Sequence, residues 1–489
     1  MASIAIEVEP EVIGHEEDLS NEHPSEEAEE EPGIPSEKSH PRLAHARRKV
    51  TEEPHVPSSE DEETAHLVSG HARHKETEEH GKMTAVQAAS NLVTCMVGAS
   101  VLSLPRMVAN NGWALGPLMV VLAGLVSYQA CVLVDQAMEA IAEIHGQHPK
   151  NIGDVVQECF GLRGKRAVLF LTCVFQISKC GVYFVVIGTN LNYAMETVSL
   201  RAWSVTGAMI CMRLIFVRDI TVISQWSFIG VLASFVYLLT ISAGGIEAAA
   251  TRHTVTKLWP STYSNLLADF AVMVYAYSPI DVLPVMKHDM KEPRQLCWSL
   301  RVAFMVVILI YVSLGSVAVL GWGDRLTGNV LLSMCEPPGC PGQLPAGTVP
   351  GKKWLLGYCL ACAVVSNLMV TAPVVLYCVF RVLEAENPHL LANGLVNRAA
   401  RIITVLGALM IALFMPFFTE ILAVISTGLL SLLQVFVPVA VTLALHLRRS
   451  TGGFVCFLRE MMLTLLGLGM LTSGMSSALR NLYRAIHHM

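Results

Sequence analysis

The chain has 489 residues, of which 53% are hydrophobic and 15% charged, and it carries a formal net charge of −6. An ordinary soluble chain has nearer about a quarter of its residues charged, so this composition excludes that class. The charge imbalance is acidic and no basic face accompanies it, which excludes a nucleic-acid binder.

In chain order, residues 1–82 come first. They contain runs such as Glu26-Glu27-Ala28-Glu29-Glu30-Glu31 and nine of the seventeen histidines. Such a Glu-, Pro-, Ser- and His-rich segment buries too little apolar area to offset its ordering entropy, so it reads as a disordered head. Ser58-Ser59-Glu60-Asp61-Glu62-Glu63 resembles an acidophilic-kinase site, and Glu63 to Val68 approaches an acidic dileucine signal. A plain acidic tail explains both. The segment lacks an apolar run of signal-peptide length, so insertion is expected to rest on the first true span.

From Met83 the chain becomes a series of apolar runs, several of which reach the roughly 20 residues a helix needs to cross a bilayer. Without water to satisfy the backbone there, these runs must be helices. Eleven spans are predicted near 84–109, 115–137, 167–195, 202–217, 222–244, 265–286, 298–322, 354–383, 400–418, 421–446 and 454–479. The fourth is the weakest, being short and carrying Arg213. The predicted organisation is a head (1–82), a transmembrane domain (83–480) and a short tail (481–489). Lys and Arg in the connecting loops, Lys287 to Arg301 among them, are about twice as frequent on one side. That bias predicts a cytoplasmic N-terminus. The long Pro- and Gly-rich loop 323–353 then lies outside, where Cys335 and Cys340 are either a disulfide or two free thiols.

Most of the other cysteines sit in apolar runs and read as small buried hydrophobes: Cys95, Cys131, Cys173, Cys211, Cys359, Cys362 and Cys378. Cys359 and Cys362 have C-x-x-C spacing but no second pair, so metal binding is not expected. No cofactor is implied.

Two spans carry helix-breaking sequence. Thr84-Ala-Val-Gln87 fits a capping box and sets a helix start. The run then passes Gly98, Ala99 and Ser100 to Pro105, which clashes with the carbonyl of residue 101, so unwinding is predicted at 98–102. The sixth span repeats the theme in Tyr275-Ala276-Tyr277-Ser278-Pro279-Ile280-Asp281-Val282-Leu283-Pro284. Breaks at matching positions of two halves point to the substrate site of an inverted-repeat transporter. Half-helix N-termini there suit a carboxylate, and freed carbonyls suit an ammonium or a cation.

Val97 to Pro105 followed by Asn111-Gly112-Trp113-Ala114-Leu115-Gly116-Pro117 resembles the first-span signature of the amino acid/auxin permease family. Cys180 to Val185 looks like its third span, Tyr277 to Pro284 with Met290 and Pro293 like its sixth, and Leu320 to Asp324 like the end of its seventh. The resemblance covers about 82–480. The head is similar in style to vesicular inhibitory amino acid transporters, while spans one and three are as similar to proton-coupled amino acid transporters. The resemblance implies an all-α, LeuT-type fold of five plus five inverted spans with an eleventh added. It also implies secondary active transport of amino acids, usually driven by protons.

On these grounds Gly98, Ala99 and Ser100 are the expected carboxylate contacts through backbone N–H groups. Tyr275, Tyr277 and Ser278 are the expected contacts for the amino group and side chain, although either tyrosine also reads as a packing aromatic. Asp281, an acid within the membrane, is the expected proton-coupling residue, unless it sits in a watery vestibule. Lys179 in the third span either serves a cation site, pairs with a carboxylate such as Asp281, or snorkels. In sodium-coupled relatives a first-span polar residue and an eighth-span Thr are ligands, and Thr94 or Asn91 and Thr371 fall at similar places. The same residues, with Ser366 and Asn367, also read as interhelical hydrogen-bonding glue.

The leading reading is therefore a proton-linked transporter of small neutral amino acids in a vesicle, vacuole, lysosome or plasma membrane. Sodium-coupled uptake and an amino acid sensor with the same fold are the alternatives. No nucleophile–base pair, H-E-x-x-H pattern or phosphate loop supports an enzyme.

Overall fold

The computed structural model describes residues 83–195, 197–216, 220–251, 257–260, 262–334, 352–387, 394–415, 417–449 and 453–487. The acidic head, Cys335 and Cys340 lie outside the described residues.

The helices are α1 (Ala85–Met96), α2 (Leu104–His145), α3 (Ile152–Ala194), α4 (Leu200–Ile215), α5 (Ile220–Thr251), α6 (Leu266–Ala276), α7 (Leu283–Asp289), α8 (Leu296–Trp322) and α9 (Val330–Met334). They continue as α10 (Lys352–Glu386), α11 (Gly394–Phe414), α12 (Phe418–Ile425), α13 (Val437–Arg449), α14 (Phe454–Gly469) and α15 (Met475–His487). Among the described residues, eight helical stretches are long and apolar enough to cross a bilayer. The other three spans are the short α4 and the two broken ones, α1 with the start of α2, and α6 with α7. Exposed Phe170, Leu309 and Ile403 are typical of side chains that face lipid rather than water.

The span boundaries differ from the sequence reading at the ends. α2 runs on to His145 and the eleventh span to His487, because the amphipathic ends continue as helix beyond the apolar core. Spans one and two are parted not by a loop but by a single residue. Gly112 has φ 82°, and a Cβ there would stand 2.7 Å from the Leu258 carbonyl oxygen. The chain is pinned at this point, since Trp113 N donates to Lys257 O at 2.8 Å and Ala114 N to Leu258 O at 3.1 Å. Only a residue without a side chain combines that left-handed turn with so close an approach.

The spans pack as two groups. Spans one, two, six and seven lie together through α1–α8, α2–α8 and α2–α6 contacts. Spans three, four, eight and nine lie together through α3–α10, α3–α11 and α4–α11 contacts, and α5 packs on both α8 and α10. The α5–α8 crossing is close enough that a Cβ on Gly321 would collide with the Gly245 backbone. Small residues at a membrane helix crossing give dispersion contacts that lipid cannot replace.

Both predicted breaks are present. α1 starts at the expected capping box, with Gln87 N donating to Thr84 Oγ1 at 3.3 Å and Thr84 N to Gln87 Oε1 at 2.9 Å. It stops at Met96, Gly98 is extended (φ −129°, ψ −150°), and Ala99–Leu102 form one 3-10 turn. Pro105 then falls in the first turn of α2, where its missing N–H has no partner to lose. In span six the helix stops at Ala276 and restarts at Leu283, with Pro284 again in the first turn.

Candidate substrate site at the two helix breaks

Ending a helix in the membrane frees its last carbonyls, and each buried carbonyl left unpaired costs about 1–3 kcal/mol. Here tyrosines supply the donors. Tyr311 on α8 is fully buried, and its hydroxyl lies 2.8 Å from Met96 O and 3.2 Å from Ala276 O. One side chain thus ties the end of α1 to the end of α6. Tyr237 on α5 donates to Val97 O at 3.1 Å. From span ten, Gln434 Nε2 donates to Tyr277 O at 3.2 Å.

The first-turn N–H groups of Ala99 and Ser100 have no acceptor within their own turn. The Gly98 N–H differs from them, since it donates to Met96 O at 2.9 Å. Four polar atoms around the second break are buried without a hydrogen-bond partner: Gln176 Oε1, Tyr275 OH, Ser278 Oγ and Gln434 Oε1. Buried polar atoms are normally paired, and a cluster that is not is open to a water or a ligand.

The predicted side chains divide by direction. Tyr275 faces span three, its ring 5.9 Å edge-to-face from Phe175. Tyr277 turns the other way, its ring 4.9 Å from Tyr311 and 6.2 Å from Phe304, while its carbonyl stays at the break. Asp281 is half-buried and accepts a hydrogen bond from Gln176 Nε2. Lys179 and Asp281 both lie close enough to Tyr275 and Cys95 to act on them electrostatically. Thr94 Oγ1 donates to Ser90 O, Thr371 Oγ1 to Asn367 O, and Asn91 Nδ2 points to Met83 Sδ at 3.3 Å. Asn367 is interhelical, donating to Gly230 O and Ser234 Oγ on α5.

The structure adds residues the sequence reading passed over. They are Gln176 and Tyr183, which with the already expected Lys179 are spaced i, i+3 and i+7 and so share one face of α3. A Cβ at Gly98 would stand 3.6 Å from Tyr183 OH, which brings that hydroxyl to the first break. A polar stripe in an otherwise apolar helix was the signal available for them.

One cation was misplaced by the sequence reading. Lys287 was counted as a loop charge, but its side chain is fully buried on α7, 2.5 Å from Asp135 Oδ1 and 2.6 Å from Glu139 Oε1. Two acids on α2 draw it inward. In the loop after α2, burial and the nearby Lys287 ammonium hold the His148 imidazole below its usual pKa, so it is neutral near pH 7. On the same membrane face as Lys287, Met83 N donates to Asp289 O at 3.0 Å and Lys291 N to Met83 O at 2.9 Å. We call this the proximal face and the opposite one, at Gly112, the distal face.

Two interrupted spans facing a set of unsatisfied polar atoms define a LeuT-type secondary transporter fold. The fold is shared with solved transporters. Mhp1 in an inward-facing conformation matches at a TM-score of 0.54 and 12% identity, over 84% of this chain and 92% of that one. A sodium-coupled sialic acid symporter, substrate-bound and outward-open, matches at 0.50 and 10%, over 82% and 90%.

The family model for transmembrane amino acid transporter protein matches residues 81–479. The chain belongs to this family, the amino acid/auxin permeases, and is a membrane transport protein rather than an enzyme. Among its relatives, amino acid transporter AVT1E of Arabidopsis thaliana is 22% identical over 74% of this chain and 66% of its own length. Amino acid transporter ANT1 of the same plant is 21% identical over 76% and 87%. Vacuolar amino acid transporter 3 of Saccharomyces cerevisiae is 25% identical over 55% and 39%.

Proposed function

We propose that this chain is a proton-coupled secondary active transporter of small neutral amino acids, working by symport or exchange. The observation that carries the reading is the cluster of unpartnered polar atoms between two breaks held together by Tyr311. The substrate carboxylate binds at the N–H groups of Ala99 and Ser100, where Gly98 leaves room. Tyr275, Ser278 and the carbonyl of Tyr277 face the amino group and side chain. Aromatic walls from Phe175, Tyr183 and Tyr275 favour a small side chain.

A proton is favoured over sodium because the freed carbonyls of Met96 and Val97 already accept phenol hydrogens. A cation would have to compete with both donors for the same oxygens. Asp281, with Lys179 and Gln176 beside it, is the proton-coupling group of the substrate site. An acidic intracellular compartment such as a vacuole supplies the gradient, with the N-terminus cytoplasmic and the distal face lumenal.

The test is uptake of a panel of radiolabelled amino acids into proteoliposomes with imposed pH or sodium gradients. A pH gradient drives accumulation, and replacing sodium with an inert cation changes nothing. Asp281→Asn lowers proton-driven uptake by about tenfold. Sodium dependence, or binding without flux as in a sensor, contradicts the reading, as does unaltered pH dependence in Asp281→Asn.

A further inference from the structure

The two broken spans are tied at three levels. Met83 links them on the proximal face and Tyr311 at the breaks. The third tie, toward the distal face, is built round an acid. Asp269 stands in the first turn of α6 and is only 7% exposed. Its Oδ2 accepts from Asn110 Nδ2 at 3.3 Å and from Asn111 Nδ2 at 3.1 Å. Asn111 is itself held in place, since the same nitrogen donates to Met107 O at 2.7 Å. The two asparagines end the first span, immediately before the Gly112 turn.

These donors are neutral. Arg106 is the charged group that acts on Asp269. Its Nη1 is nonetheless directed to the carbonyls of Leu326 at 2.5 Å and Asp324 at 3.4 Å. Lys257 is paired with Asp324 at 3.2 Å. The other elements packed on α6 bring Tyr263 in the preceding turn, Glu420 on α12, and Arg480, Arg484 and His487 on α15. Among the described residues, none of these is paired with Asp269. An ionised carboxyl withdrawn from water with only neutral donors is expensive, and a proton removes that cost.

A route for the proton is also present. A cavity of about 180 Å³ is lined by Arg106, Ala109, Asn110, Lys257 and Asp324. It is polar and large enough for several water molecules. Asn110 belongs both to its wall and to the shell of Asp269.

We propose that Asp269 is a proton-binding site loaded from the distal face, and that its protonation loosens the clamp between the distal halves of the two broken spans. A hydronium ion in the cavity gives its proton to the carboxylate, leaving water and a neutral carboxyl group. Hydrogen bonds from amides to a neutral acid are weaker than those to a carboxylate. The hold of α6 on the end of the first span therefore follows distal pH, and with it the freedom of the substrate site to open. This inference rests on the proton-coupled reading and assigns it a second carboxyl, separate from Asp281 at the substrate.

The experiment uses the full chain in liposomes containing a pH-sensitive dye, with a radiolabelled mixture of glycine, alanine, serine and proline as probe. Wild type shows a substrate-evoked pH change and gradient-driven accumulation. In Asp269→Asn both fall by about tenfold or more. Counterflow exchange, which needs no net proton movement, persists in this variant and loses its dependence on pH between about pH 5 and about pH 8. Asp269→Glu, which keeps the carboxyl, restores the dye signal at a shifted pH midpoint. It also decides the matter should Asp269→Asn fail to fold. Wild-type proton flux that survives in Asp269→Asn, or is lost in a folded Asp269→Glu, overturns this site alone. Absence of proton flux in wild type overturns the proton-coupled reading and this site with it.

Discussion

Replacing Lys287 with methionine destabilises the protein by about 3–5 kcal/mol, the cost of removing one partner from a buried ion pair. The Lys287 side chain is fully enclosed, and the Asp135 side chain is only 12% exposed. In the variant Asp135 keeps its charge, or takes up a proton, in a site that no longer holds a cation. The better-exposed Glu139 is relieved by solvent and contributes less. Total stabilities run to about 5–15 kcal/mol, so the loss is a large fraction of what holds the fold. Heat unfolding in detergent reads the effect as a lowered midpoint. Asp135→Asn in the Lys287→Met background recovers more than half of the loss, because the orphaned charge is gone. A Lys287→Met midpoint equal to wild type contradicts the ion-pair account.

Tyr311→Phe lowers transport by about tenfold while the protein stays folded. The hydroxyl touches the end of both α1 and α6. Without it Met96 O keeps only its turn bond from Gly98 N and Ala276 O loses its phenol, a cost of about 1–3 kcal/mol that falls on the geometry of the breaks. The ring remains and keeps its packing against Tyr277, so the fold loses little else. Tyr237→Phe is the control. It frees Val97 O alone, at one break only, and its effect on uptake is smaller. Equal uptake in Tyr311→Phe and wild type contradicts the positioning role of this residue.

The two breaks were legible because helix termination is local chemistry. Thr84 and Gln87 fix a start, Gly98 permits an extended residue, and Pro105 and Pro284 fit only first turns. Eleven spans followed from hydropathy, even for the short α4. The partners of the breaks were not legible. Tyr311 meets Met96 across 215 positions and Gln434 meets Tyr277 across 157, and no periodicity encodes such contacts. Direction was equally hidden. Tyr275 and Tyr277 are two residues apart, yet the kink between them sends one ring toward span three and the other among Tyr311 and Phe304. Asp269 drew no notice, as an acid near the start of a span normally lies at the water interface. Lys287 was read as a loop cation for the same reason. Burial, not sequence position, sets both apart.

The claim on which the rest depends is that a zwitterion is held where the first and sixth spans lose their helices. A structure of the protein with a transported amino acid bound tests it most directly. The account predicts the substrate carboxylate within hydrogen-bonding distance of the Ala99 and Ser100 N–H groups, with its amino group toward Ser278 and the Tyr277 carbonyl. Density for the amino acid elsewhere, such as the distal cavity beside Arg106, with both breaks empty, would contradict it.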